Sequence, residues 1–137
     1  MIRRYVNLSV AYALLGMAGG VFYREYTKFS GYAGQTSLCF MHAHYLVLGM
    51  AMFLLLAVLE KAFAFSGEKH VRPAVIVYQA GLNVTELGFL LRGLAQVNSV
   101  ALSRGMDAAI SGIAGLGHIA MGVSLVLLLL AVRRQAA

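Results

Sequence analysis

Two histidines two residues apart, His42 and His44 in FMHAHYLVLGM (residues 40–50), are the side chains of this chain best suited to chemistry. They sit in an apolar run, where a polar group without a partner is costly. A neutral imidazole carries one lone pair and is the commonest metal ligand among side chains. On a helix, residues i and i+2 point about 200° apart. One helix therefore cannot aim both rings at one ion, but it can serve one site on each flank. An iron porphyrin held by two imidazoles needs them on opposite faces, so each such group would draw its second ligand from another helix. Gly49 and Ala51 follow His42 and His44 by seven residues each, on the same faces two turns along. They leave either a shallow bed for a flat macrocycle or room for a neighbouring helix, and the spacing leaves both open. Cys39, Met41, Met50 and Met52 lie on the same run. Soft donors of this kind suit Cu(I), which makes copper binding the alternative chemistry, although these side chains point in several directions.

Other polar residues interrupt apolar stretches, and each is a functional candidate that needs a partner. Gln79, Asn83 and Glu86 follow an i, i+4, i+7 pattern and form one stripe. Glu86 and His118 fall at similar depth in their runs, so they are a candidate intramembrane pair, either a clamp or a step in a proton route. Arg92 and Arg24 fall near the depth of the histidine pair. An Arg fork matches a carboxylate, such as a haem propionate; the alternative is snorkelling to the headgroups, which suits Arg24 better. His70, in SGEKHVRP, reads as a solvated loop residue.

The elements that must position these groups are apolar helices. The chain has 137 residues, of which 61% are hydrophobic and 12% charged, about half the charge of a soluble domain. Four apolar runs are each near the ~20 residues that cross a bilayer core. The expectation is an all-α, integral membrane four-helix bundle or arc in a single domain, residues 1–137, with helices at about 5–26, 38–64, 73–97 and 107–133. The first run is longer than the apolar core of a signal peptide and reads as a retained helix. Seven of the eleven Lys and Arg (Arg3, Arg4, Lys61, Lys69, Arg72, Arg133, Arg134) flank the termini and the second loop. Basic loops face the cytoplasm, so both termini are expected there, in a bacterial inner membrane. The formal charge of +6 is thereby a topology signal, and no nucleic-acid surface is implied. A lone Cys39 excludes an internal disulfide, and the NVT at 83–85 falls within a helix. Gly16, Gly20, Gly112 and Gly115 supply small faces for packing within or between subunits.

The segment HAHYLVLGM resembles the tenth helix of the large catalytic subunit of haem–copper oxidases, where an H-x-H lies between two haems and each histidine binds one. That subunit has twelve core helices in three four-helix arcs, so the resemblance implies that three copies of this chain would match it. It further implies a homotrimer in which His42 of one subunit faces His44 of the next across a b-type haem. Arg92 stands at the comparable end of its helix, without the Arg-Arg motif found there. The oxidase's three copper-binding histidines and cross-linked tyrosine have no counterpart here. The whole chain, including VFYREYTKFSGYAGQTSL, also resembles a family of small bacterial four-helix membrane proteins of uncharacterised function. Six-coordinate haem fits electron transfer, with an unknown donor or acceptor, or redox and gas sensing, better than turnover. A structural or assembly protein without cofactor is the third reading, its polar residues joined between helices.

Overall fold

The computed structural model describes residues 1–136. The chain is all-α, with four helices each long and apolar enough to cross a membrane: α1, Ile2–Phe29; α2, Leu38–Phe63; α3, Val71–Val97; and α4, Arg104–Gln135. They begin and end within a few residues of the apolar runs, for local reasons. α3 starts two residues before Pro73, since proline is tolerated in a first turn whose N–H groups have no helical acceptor. α4 starts early because Ser103 accepts a hydrogen bond from the Met106 N–H at 3.3 Å. Asp107 in its first turn and Arg133 and Arg134 in its last complement the helix dipole. α2 ends at Ala64, whose φ of 48° is left-handed, and a 3-10 turn over Phe65–Gly67 follows. The Glu60 carboxylate accepts from the Ser66 N–H at 2.9 Å and holds this bend.

Helices adjacent in sequence pack most extensively, α1 on α2, α2 on α3 and α3 on α4, and smaller contacts from α2 and the turn after it to α4 curl the row into an arc. α1 and α2 share a spine of rings. Tyr5 stacks on Phe65, Tyr12 on Phe53 with centroids 5.5 Å apart, and Tyr12 on Tyr45 at 5.8 Å, while Tyr78 of α3 meets Phe53 edge-on. α3 and α4 approach so closely that a Cβ on Gly81 would lie 2.6 Å from the Gly117 carbonyl oxygen. At the other end of α3, a Cβ on Gly93 would lie 2.5 Å from Leu38 Cγ and 2.7 Å from the Leu38 nitrogen. Many large apolar side chains of α1 and α4 face outward, among them Leu14, Val21, Leu116 and Ile119, as expected of surfaces meeting lipid or another subunit.

Residues Tyr45–Ala51 of α2 form a π-helix, with α-helix over Leu38–His44 before it and Met52–Phe63 after it. Its wider turns leave carbonyls open to outside donors. Two arrive from neighbouring helices: Tyr78 donates to the Leu48 carbonyl at 2.9 Å and Ser9 to the Met50 carbonyl at 2.9 Å. With no water in a hydrocarbon core, such donors allow the irregular segment to persist.

On the side of the α2–α3 loop, Glu68 accepts from the guanidinium of Arg134, which ties the loop to the end of α4. Those hydrogen bonds hold the Glu68 carboxyl below its usual range. A lowered value means that the tie is present above the ordinary carboxylate range and is lost as pH falls through the folded value. Hydrogen exchange of the Val132–Gln135 amides should therefore quicken only below that range, and Glu68→Gln should show the fast exchange at neutral pH. Gly93→Ala should destabilise the protein by about 1–3 kcal/mol, measured as thermal unfolding in detergent, because the Leu38 backbone cannot yield to a methyl group.

Candidate functional site

The two histidines leave α2 on opposite flanks. His42 faces α1, where the GMAGG segment (16–20) runs close beneath it: a Cβ on Gly20 would lie 3.5 Å from His42 Cβ, and one on Gly16 3.4 Å from its carbonyl. The Nδ1 of His42 is buried with no hydrogen-bond partner. His44 faces the other way, toward α3 and α4. Its ring meets Phe89 edge-on with centroids 5.0 Å apart and His118 at 6.0 Å, the two imidazole planes being 88° apart. Phe89 and His118 are themselves 6.3 Å apart, so three rings from α2, α3 and α4 form one cluster, with Phe40 packed on Phe89 above it.

The hydrogen bonds of these imidazoles decide which nitrogen is free. The Nδ1 of His44 lies 3.1 Å from the Phe40 carbonyl and that of His118 lies 3.0 Å from the Ala114 carbonyl. A carbonyl only accepts, so in both rings Nδ1 carries the hydrogen and, in the neutral form, Nε2 keeps its lone pair. Metal-binding histidines are oriented by this same kind of outer hydrogen bond. His42 lacks it, and its ring is held by packing alone.

His118 stands between Gly115 and Gly122, three residues before and four after, on an outward face of α4. A Cβ at either glycine, or at Gly112, would meet nothing within 4 Å. The surface beside this exposed imidazole is accordingly flat. The G-x-x-H-x-x-x-G spacing of this face is visible in the sequence.

Several expected roles change. Glu86 and His118 do not pair: both Glu86 oxygens are buried without a hydrogen-bond partner, while His118 is exposed and turned to His44. Gly49 is no bed for a macrocycle, since a Cβ there would lie 2.6 Å from the Tyr12 ring, which already fills the space. Ala51 is exposed at the far end of the π-helix, and the π turns remove it from the α-helical register that was to align it with His44. Arg92 is engaged with α4, donating to the Asp107 carboxylate at 2.7 Å, the Asp107 carbonyl at 3.1 Å and Ser111 at 2.7 Å. Arg24 is exposed and paired with Glu25 at 2.9 Å. The soft donors do not converge with the histidines: Met41 packs among Tyr23, Tyr26 and Leu90, and Met50 and Met52 pack against the main core. Cys39 lines a cavity with Gln35, Thr36 and Gln96. Among the described residues no three of His, Cys, Asp and Glu are grouped closely enough to hold one metal ion. Gly16 and Gly20 do serve packing within the chain.

The polar stripe of α3 fans out. Gln79 is half-buried, Asn83 is exposed and Glu86 is buried. Asn83 accepts from the Tyr45 hydroxyl at 3.3 Å and donates to Tyr12 at 3.0 Å, linking three helices.

No curated protein and no solved structure matches the chain. A family model described as "Protein of unknown function (DUF2871)" matches residues 2–135, nearly the whole length, and the chain belongs to that family.

Proposed function

We propose that this chain is a haem-b-binding integral membrane protein that serves electron transfer or redox or gas sensing, with an electron donor or acceptor as its partner. In this reading it lies in a bacterial inner membrane with both termini cytoplasmic, in keeping with the basic residues at the termini and in the α2–α3 loop. It assembles as a homotrimer, with His42 of one subunit and His44 of the next as axial ligands. The observation that carries the reading is the state of His44: half-buried, its Nδ1–H held by the Phe40 carbonyl, its Nε2 lone pair free, and the Phe89 ring, backed by Phe40, edge-on beside it. The opposite orientation of His42 supports a connector with one site on each flank. The open order of the four helices and the unfilled glycine face of α4 suit assembly into a larger ring. Bound haem would supply a one-electron couple; the chain's own part is to orient two imidazoles and exclude water with apolar rings.

A second ligand pairing has an observation in its favour. His118 carries the same outer hydrogen bond as His44 and stands 6.0 Å from it, whereas His42 has no such bond and turns to α1. Here His44 and His118 of one chain act together, on iron or on a copper ion as the alternative cofactor. Arg92, with one nitrogen bound to Asp107 and Ser111, can reach a propionate only with its remaining donors.

The visible spectrum of protein purified in detergent after growth with haem precursor, with metal analysis beside it, tests these readings. A low-spin Soret band with sharp reduced α and β bands is expected. His44→Ala should abolish it under either pairing. Loss in His42→Ala with retention in His118→Ala supports ligation across subunits, whereas the reverse supports ligation within one chain. Purified protein without a Soret band refutes the haem reading, and bound copper in its place favours the alternative.

A further inference from the structure

Glu86 has no role in the haem reading, yet its placement is the most demanding in the chain. It is 1% exposed, and among the described residues no other Asp, Glu, Lys, Arg or His is buried so deeply. Both carboxyl oxygens are sequestered without a hydrogen-bond partner. On α3 it lies between Leu82 of the main core and Phe89 and Leu90, which pack on the outer cluster. No cation reaches it. Arg92 and Asp107, the charged groups nearest along α3 and α4, are bonded to each other. From α2 the titratable neighbours are Tyr45, within electrostatic reach, and His42 and His44, which turn to α1 and to Phe89. From α1 comes Tyr12, held by Asn83, and from α4 His118, exposed and turned to His44. An isolated carboxylate in such surroundings would carry a desolvation cost that nothing offsets, whereas a neutral acid carries far less.

We propose that Glu86 is a proton-binding site inside the membrane span, a neutral carboxylic acid whose proton exchanges with the outside where Asn83 meets Tyr45 and Tyr12. Asn83 is exposed while Glu86, three residues further along α3, is buried, and the Tyr45 that donates to Asn83 is also within electrostatic reach of Glu86. The site stands independently of any haem.

An apolar carbodiimide, N,N′-dicyclohexylcarbodiimide, tests the protonation state on the full chain in detergent. A protonated carboxyl adds across one C=N bond: its proton passes to nitrogen and its oxygen bonds the central carbon. The resulting O-acylisourea rearranges to a stable N-acylurea by acyl transfer from oxygen to nitrogen, with no group lost. Peptide mass mapping should find the adduct on Glu86, with labelling falling about tenfold per pH unit above the acid's midpoint. A water-soluble carbodiimide should label the exposed Asp107 first. No adduct on Glu86 at any pH, or an adduct there that is insensitive to pH, overturns the proposal. The readout is taken on the unaltered chain and so does not depend on a variant folding. In addition, Glu86→Gln must lose the adduct at this position, and any modification persisting on that peptide counts equally against the assignment.

Discussion

A hydrocarbon core offers no water to finish a hydrogen bond, and this one constraint organises the chain around α2. A regular helix satisfies its backbone internally, but the π-helical stretch Tyr45–Ala51 does not do so alone. It depends on hydroxyls delivered from both sides, Ser9 of α1 and Tyr78 of α3. Those donors require α1 and α3 to flank α2 at fixed register. The same register sets Tyr12 over Gly49 and places Tyr45 beside Asn83. Interhelical hydrogen bonds in membranes are worth only about 0.6 kcal/mol on average, so the ring stacking and close glycine contacts share the work of holding the arc together.

The histidines sit at the upper edge of that irregular stretch and inherit its geometry. His42 is pressed against the glycines of α1, and His44 is turned into an aromatic cluster built from α3 and α4. Both belong to one rigid helix, yet their surroundings differ in what a ligand requires. One ring is oriented by a carbonyl and the other by packing alone. The difference is chemical, since a histidine with its Nδ1–H held offers a defined lone pair, whereas one without it is free to choose its tautomer.

What could be read from residues alone was the part governed by periodicity and hydropathy: four helices, their approximate limits and the two-sided splay of His42 and His44. Gly16 and Gly20 were also legible, because small residues at helical spacing mark close approach. The contacts across helices were not. Glu86 and His118 share a depth, but depth says nothing of rotation about a helix axis, and they face different surroundings. Arg92 was read as meeting either an external carboxylate or the headgroups, whereas Asp107, fifteen residues on, lies opposite it in the next helix. Gly49 does share the α1 side with His42, but Tyr12 fills the space there, whereas Ala51 was placed by counting α-helical turns through a segment that is π-helical. No residue pattern in YLVLGMA announces such a stretch; its support comes from Ser9 and Tyr78, distant in the chain.

The π-helical stretch also divides α2 into two halves whose outward faces are set separately. An α-helix advances about 100° per residue, and wider turns delay that advance, so the two halves keep different phases. The upper half orients the imidazoles, while the lower half orients Phe53, Leu56 and Ala57 toward the core. Removing a single residue within 45–51 would restore a continuous α-helix with both halves near their present phases, because the wider turns accommodate about one residue more than an α-helix over the same rotation. The segment thus takes up one residue more than a regular helix would, so that the imidazoles above it and the core residues below it each keep the face they need.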